Sequence, residues 1–281
     1  MVRHTRYVLL LPGLVTFVFF LIAPLAIMAV MSFFTPVWPG YRTDLTLNNY
    51  VAYLTSPQFR ILAFNTFSTS LVTAFICMII GFPFAYCYTF KIKSERTRNY
   101  ITMLLLAPFL IDWTIRSVAW ISILGERGFV NSMFLSAGLI SEPIKFLFTP
   151  TALFIIWVQT NLLFMIFPMN LALGRMDPEV IEAAKVLKAP PYRVFYDIVF
   201  KMALPGVICG FIFVFVNTIS DYVTPSLWAG GLQTLGLSVS NYASQFLWPQ
   251  ASAGGMILLV ACIIVLYILL KVVDIKKLVY E

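Results

Sequence analysis

The chain has 281 residues, of which 60% are hydrophobic and only 11% charged, with a formal net charge of +7. A soluble domain carries roughly 25% charged residues, and a disordered chain is poor in aromatics, whereas this one has 26 Phe and 13 Tyr and a mean hydropathy of +0.91. Both classes are excluded, and the basic excess has to be explained inside a membrane protein.

A helical span needs about 20 mainly apolar residues to cross some 30 Å of hydrocarbon. Six runs qualify, at residues 7–34, 61–89, 100–124, 147–173, 204–229 and 252–273. The first, YVLLLPGLVTFVFFLIAPLAIMAVMSFF, exceeds the roughly 7–15-residue core of a signal peptide and has no convincing cleavage site, so it is expected to remain as a helix. Several runs exceed the minimum and predict tilt. The connections 35–60 and 125–146 are rich in Pro, Gly, Asn and aromatics and suit short interfacial helices. Residues 230–251 carry no charge, and Trp248 lies near the expected membrane surface. The expectation is one all-α, polytopic transmembrane domain over residues 1–281 with six spans.

Lys and Arg set the orientation, because basic residues stay on the cytoplasmic side. Arg3, Arg6, Lys91, Lys93, Arg96, Arg98, Arg175, Lys185, Lys188, Arg193, Lys201, Lys271, Lys276 and Lys277 fall on one side, fourteen of the nineteen. Arg42, Arg60, Arg127 and Lys145 fall on the other, and Arg116 inside the third run. Both termini are therefore predicted to be cytoplasmic, and the charge calls for lipid bilayer rather than nucleic acid.

No chemistry is visible. Cys77, Cys87, Cys209 and Cys262 lie within or at the ends of apolar runs, form no CxxC, and the single histidine is His4; neither a metal site nor a disulfide framework is predicted. A phosphate-binding GxxxxGK[ST] loop, HExxH and a nucleophile beside His are all lacking. No catalytic residue is assigned, and the chain is not expected to bind ATP.

Polar groups inside the runs are the candidate path or gate residues, since intramembrane ionisable side chains commonly face a bundle interior or a water-filled path. Asp112 and Arg116 are four residues apart on one helix face, spaced to pair; they are read as path, outer gate or structural ion pair. Asp221 precedes Pro225 and Gly230–Gly231, where the fifth span is expected to break near its outer end. It would meet a cationic solute, orient a gate, or serve as a cap. Asn65, Gln159, Asn161, Asn170 and Asn217 either line a polar path or hold helices together. Trp113, Trp120 and Trp157 are stacking surfaces or interface anchors, and Tyr222 beside Asp221 joins the gate candidates.

Residues 178–203 form the conspicuous polar passage between the fourth and fifth spans. Asp177 is placed to cap a helix, with Pro178 and Glu179 in its first turn. Ala183 and Ala184 keep one face thin enough for close approach. Pro190–Pro191 stop the helix, and Pro191 starts a second in which Val194, Phe195, Ile198, Val199 and Met202 form a packing face. Pro205 marks entry into the fifth span. The pattern predicts a short cytoplasmic helix–turn–helix with a charge-bearing docking face.

The run EAAKVLKAPPYRVFYDIVFKMALPG resembles the cytoplasmic "EAA" signature of bacterial ABC importer permeases. IRSVAWISILGERGFVNSMFLSAGLI (with Arg116, Trp120, Leu124, Gly125, Gly128 and Asn131), GFPFAY and SDYVTPSLWAGG are similar to the spermidine/putrescine (PotB/PotH-like) branch, and the resemblance extends over nearly the whole chain. It implies a type I importer permease fold in the bacterial inner membrane, with Glu182, Ala183, Ala184, Lys188 and Ala189 coupling to an ATPase. It departs from the family at Lys188, where Gly is usual, and at Pro190–Pro191.

The implied partners are a second homologous permease, two copies of a cytoplasmic ATP-binding subunit that hold ATP and Mg2+, and a periplasmic or lipid-anchored solute-binding protein. The implied cargo is a small organic solute, a polyamine first and an amino acid, opine or aminophosphonate otherwise. An ion-coupled secondary transporter is the rival reading; it expects internal repeats and paired broken helices, and no repeat is evident.

Overall fold

In the computed structural model of the protein, residues 12–272 are described. Arg3, His4, Arg6, Lys276, Lys277 and the outermost residues of the first and sixth predicted spans lie outside them. Five helices among the described residues are long and apolar enough to cross a membrane, and a bent helix pair makes a sixth if it counts as one span. The described helices are joined by one two-stranded hairpin. By internal contact the chain divides into two units: residues up to Ala63 with Leu235–Ala261, and Phe64–Thr234 with the residues from Cys262.

The first unit begins with helix α1 (Pro12–Met31). A π-wound turn at Val18–Ile22 precedes Pro24, with Ala23 N–H reaching back to Val18 O; such a turn accommodates a residue that cannot donate. Every α1 side chain stays at least partly exposed. Strands β1 (Phe34–Val37) and β2 (Gly40–Leu45) form an antiparallel hairpin, where the sequence suggested interfacial helix. Helix α2 (Asn48–Thr55) follows. Buried Asn49 ties it back by donating from Nδ2 to the carbonyls of Ser32 and Phe34, both at 2.8 Å. Tyr53 packs with Leu62 and Leu235 and shares a 2.8 Å hydrogen bond with Ser238.

The second unit holds most of α3 (Pro57–Lys91), then α4 (Glu95–Leu106), α5 (Trp113–Leu124), α6 (Phe129–Ser136), α7 (Pro150–Leu173), α8 (Pro178–Val186), α9 (Pro191–Ser220) and α10 (Val223–Trp228). Helices α11 (Leu235–Ser244) and α12 (Trp248–Val272) complete the chain. The main core gathers Ala74, Cys77, Phe82, Met165, Met169, Val207 and Val214. Its closest helix contact is α7 on α9. A Cβ added at Gly206 would collide with Pro168 O and with Ala172 Cβ, and one at Gly210 would lie 2.9 Å from Met165 O. This is a small-xxx-small seam, which lets membrane helices approach backbone to backbone.

Three predicted elements differ in detail. The run at 100–124 is two helices bent by 103°, because Ala107–Leu110 tightens to 3₁₀ around Pro108 and Asp112 caps a new helix. The fifth predicted span, α9, starts at Pro191 and passes through Pro205 unbroken to Ser220. A π-wound stretch at Val194–Phe200 resets its phase, so Val194 and Val199 are buried while Met202 is 40% exposed.

Candidate functional site

The polar passage 178–203 folds as an elbow with a buried root and a bare tip. Asp177 Oδ1 accepts Glu179 N–H at 3.0 Å and starts α8. Ile181 points into the core with Met176, Val194 and Val199. Phe82 of α3 meets Phe195 edge-on at 5.5 Å and Phe200 at 5.8 Å. The start of α9 is thus packed onto α3, and α8 packs against that start of α9 through Ile181.

The turn that closes α8 is made by Lys188 at φ +55°. Lys188 N–H returns to Lys185 O at 2.9 Å and Ala189 N–H to Ala184 O at 3.0 Å. These two bonds are a Schellman cap, which usually carries Gly at the left-handed position. Ala184 and Ala189, half-buried, pack against the core. Glu182 and Ala183 are exposed, as is Lys188. Beyond them Val186 and Leu187 are 82% and 81% exposed. Burying one such side chain is worth about 1.5–3 kcal/mol, a gain that the tip leaves unclaimed within this chain.

A second cluster surrounds Asp221, which is buried at the break between α9 and α10. Its Oδ2 accepts Trp157 Nε1 at 2.7 Å, and its Oδ1 accepts Val223 N–H at 2.9 Å and Thr224 N–H at 3.1 Å. Three donors satisfy the buried carboxyl oxygens, as polar groups out of water require. Asn161, fully buried one turn along α7, donates to Trp157 O at 2.9 Å, and its Oδ1 is left without a partner. Trp228 Nε1 donates to Ser117 Oγ at 2.7 Å. The break therefore falls at Asp221, four residues before Pro225, because the carboxylate itself takes the first N–H groups of α10. Tyr222 is 49% exposed beside it. Gly230, at φ +56°, is pressed against Phe148 O and leaves no room for a Cβ.

Asp112 and Arg116 do not pair. Asp112 is the exposed N-cap of α5, accepting Thr114 N–H at 2.8 Å. Arg116 donates from Nη1 to Pro108 O at 3.2 Å across the bend and lies 6.0 Å from the Trp113 ring centre. Trp120 is half-buried on the same helix. Buried Asn131 spends its carboxamide on the connections at both ends of α6, donating to Gly125 O before it and to Ile144 O after it, and accepting Ile144 N–H. The fold thus joins Asp221, Trp157 and Asn161 through hydrogen bonds, and ties Arg116 to the Pro108 bend instead of to Asp112.

The amino-acid sequence matches, over residues 61–277, the family described as the binding-protein-dependent transport system inner membrane component. The chain belongs to this family. As such a component it is a membrane permease of an ABC-type importer, sits in the inner membrane, is non-catalytic, and works within a multi-subunit assembly. This permease is similar to the spermidine/putrescine transport system permease protein PotB of Haemophilus influenzae, 31% identical over 257 residues that cover 89% of this chain and 88% of that one. PotB of Escherichia coli (strain K12) is 29% identical over 212 residues, covering 74% and 75%. In fold the permease is similar to a chain in the crystal structure of a bacterial alginate ABC transporter in complex with an alginate pentasaccharide-bound periplasmic protein. That match has a TM-score of 0.73 at 18% identity and covers 94% of this chain and 92% of that one.

Sequence reasoning overlooked Trp157 as the partner of Asp221, the Gly206/Gly210 seam, and the Val186–Leu187 tip. The seam was legible as Gly-x-x-x-Gly. The Asp221 cap was legible as an acidic residue two and three positions before the N–H groups it binds. The Trp157 contact, 64 residues away in sequence, had no local signal.

Proposed function

We propose that this permease carries a polyamine of the spermidine/putrescine type and is driven by an ATPase that grips the α8 elbow. The observation that carries the coupling role is the bare Val186–Leu187 tip on a helix rooted in the core. Glu182, Ala183, Ala184, Lys188 and Ala189 form the rest of the docking face. The chain pairs with a second homologous permease. Two copies of the ATP-binding subunit dock from the cytoplasm, where both termini also lie, and a solute-binding protein delivers from the other side. ATP-driven closure of the ATPases pushes α8, and its packing on the start of α9, whose Phe195 and Phe200 meet Phe82 of α3, passes that motion to the spans; the two states exchange by alternating access.

The solute assignment is supported by similarity to permeases named for spermidine and putrescine. Within the path, Asp112 and Tyr222 are the exposed candidates and Arg116 and Trp120 the half-buried ones. Asp221 and Asn161 are positioning residues, because their polar atoms face the interior of the helix packing. Selectivity resides mainly in the binding protein, so an amino-acid-type solute is the competing cargo.

The test is energised uptake by the complete system in vesicles. Labelled spermidine or putrescine should accumulate with ATP, and Glu182→Lys should abolish uptake and ATPase co-purification while the permease still inserts. Uptake of an amino acid with indifference to polyamine overturns the cargo; ATPase retention and normal uptake by Glu182→Lys overturn the docking face.

A further inference from the structure

A groove of about 720 Å³ runs along the second unit, lined by residues of α3, α4, α7 and α9. That is within the size range of sites that enclose small ligands, roughly 300–1,000 Å³. Its floor is apolar, made by Leu105, Phe167, Leu171, Cys209 and Phe213. Its polar lining residues are Tyr88 near the end of α3, Thr102 of α4, Asn170 in the last turn of α7 and Arg175 just beyond α7. Tyr88 lies three residues before the end of α3, and its hydroxyl shares a 2.6 Å hydrogen bond with Thr102 Oγ1. The Arg98 guanidinium sits 5.9 Å from the Tyr88 ring centre. Arg175, just beyond α7, lines the groove, is exposed, and makes no side-chain hydrogen bond or ion pair among the described residues. Asn170 also lines it, with Oδ1 buried and unpartnered.

We propose that this groove holds an anionic phospholipid, with the phosphate at Arg175 and one acyl chain along the apolar floor. The groove belongs to a chain that spans a bilayer, and Cys209 and Phe213 are exposed along it. Acyl chains are thus the apolar material at hand. Charge sits where a headgroup belongs, at the helix ends, with the Arg175 guanidinium unspent and Arg98 behind Tyr88. Asn170 lies in the last turn of α7 and Arg175 just beyond its end, so Asn170 sits deeper along the groove than the headgroup position. Its carboxamide offers N–H groups to an ester carbonyl. The lining gives a hydrophilic solute few partners over most of its length, which argues against solute as the occupant. The inference does not depend on which solute the permease carries.

The test uses a Phe213→Trp permease reconstituted with and without its partner subunits, and acyl-brominated phosphatidylglycerol or phosphatidylcholine as quencher. The signal is the emission difference from the parent chain. Phosphatidylglycerol should quench about fivefold more effectively per molecule, the attraction expected of one basic residue at an anionic surface. Arg175→Gln in the same background should bring the ratio to one. Equal quenching by both lipids before that change overturns the headgroup site. Loss of quenching by both on assembly, with Cys209 becoming unreactive to thiol reagents, shows that a partner subunit covers the groove and overturns the lipid as its occupant.

Discussion

The indole N–H of Trp157 donates to the Asp221 carboxylate at 2.7 Å and joins the middle of α7 to the break that follows α9. The other carboxylate oxygen starts α10 through Val223 and Thr224. One side chain thus ends a span, begins the next helix and clamps a neighbour.

Removing that side chain should cost more than neutralising it. Asp221→Ala strands three N–H donors and should lose about 3 kcal/mol, since an orphaned buried group costs about 1–3 kcal/mol and a lost cap about 1. Asp221→Asn keeps an oxygen for the cap and should lose roughly half as much. Trp157→Phe leaves the carboxylate with two donors and should fall between parent and Asp221→Ala. Thermal unfolding of the purified permease in detergent reads this order; an Asp221→Ala chain as stable as its parent contradicts it.

The α7–α9 seam predicts unequal tolerance at two glycines. A Cβ at Gly210 meets Met165 Sδ at 2.8 Å, which can swing aside, but also Met165 O at 2.9 Å. At Gly206 the obstacles are Pro168 O, Met169 Cα and Ala172 Cβ, all tied to backbone. Overpacking costs about 1–3 kcal/mol. Gly206→Ala should sit at the upper end and Gly210→Ala below it, measured as yield of folded permease and unfolding midpoint. The reverse order would mean that the helices part more easily at Gly206.

Lys188 holds a left-handed conformation that costs a non-glycine residue about 1–2 kcal/mol. Lys188→Gly should therefore raise stability by up to about 1 kcal/mol, part of the gain being offset by the freer unfolded chain. A β-branched Lys188→Val should lower it. Differential scanning fluorimetry across the three chains checks the sign. A destabilised Lys188→Gly would show that the lysine side chain contributes contacts outweighing the strain.

At the elbow tip, Leu187→Asp should cut ATPase association by about ten- to a hundredfold, the equivalent of one buried aliphatic side chain at 1.5–3 kcal/mol. Val186→Ala should have a smaller effect. Co-purified ATPase is measured against permease recovered from the membrane fraction, which should not change because the tip lies outside the core. Wild-type association by Leu187→Asp places the grip elsewhere on α8.

Hydropathy is blind to direction, and the third span shows the consequence. The run around residues 100–124 is apolar enough to count as one crossing, yet it turns by 103° at Asp112. Pro108 and Asp112, a breaker and a cap, announced a boundary, and their spacing announced nothing about the angle. In the same way the four-residue spacing of Asp112 and Arg116 suggested a pair. The N–H groups of a new helix claimed the carboxylate, and Pro108 O, which also accepts Ile111 N–H, took the guanidinium.

What the sequence determined by itself is whatever depends on solvent and on near neighbours. Long apolar runs must be helical in a medium with no water to bind their backbone. Asp177 and Pro178 start α8 through capping and local sterics, and Pro191 starts α9, whereas α8 itself ends four residues before Pro190 at the left-handed Lys188 turn. The resemblance to importer permeases rested in part on that same passage. What only the tertiary structure decided is whatever needs two distant segments to meet. Trp157 on Asp221, Met165 on Gly210 and the Phe82 ring on Phe195 are contacts between helices whose outer surfaces all read as oil. In a membrane, apolar patterning cannot tell a helix face that meets protein from one that meets lipid, because both are equally dry. Close fit and the few buried polar atoms make that choice, and they act only once the helices are packed.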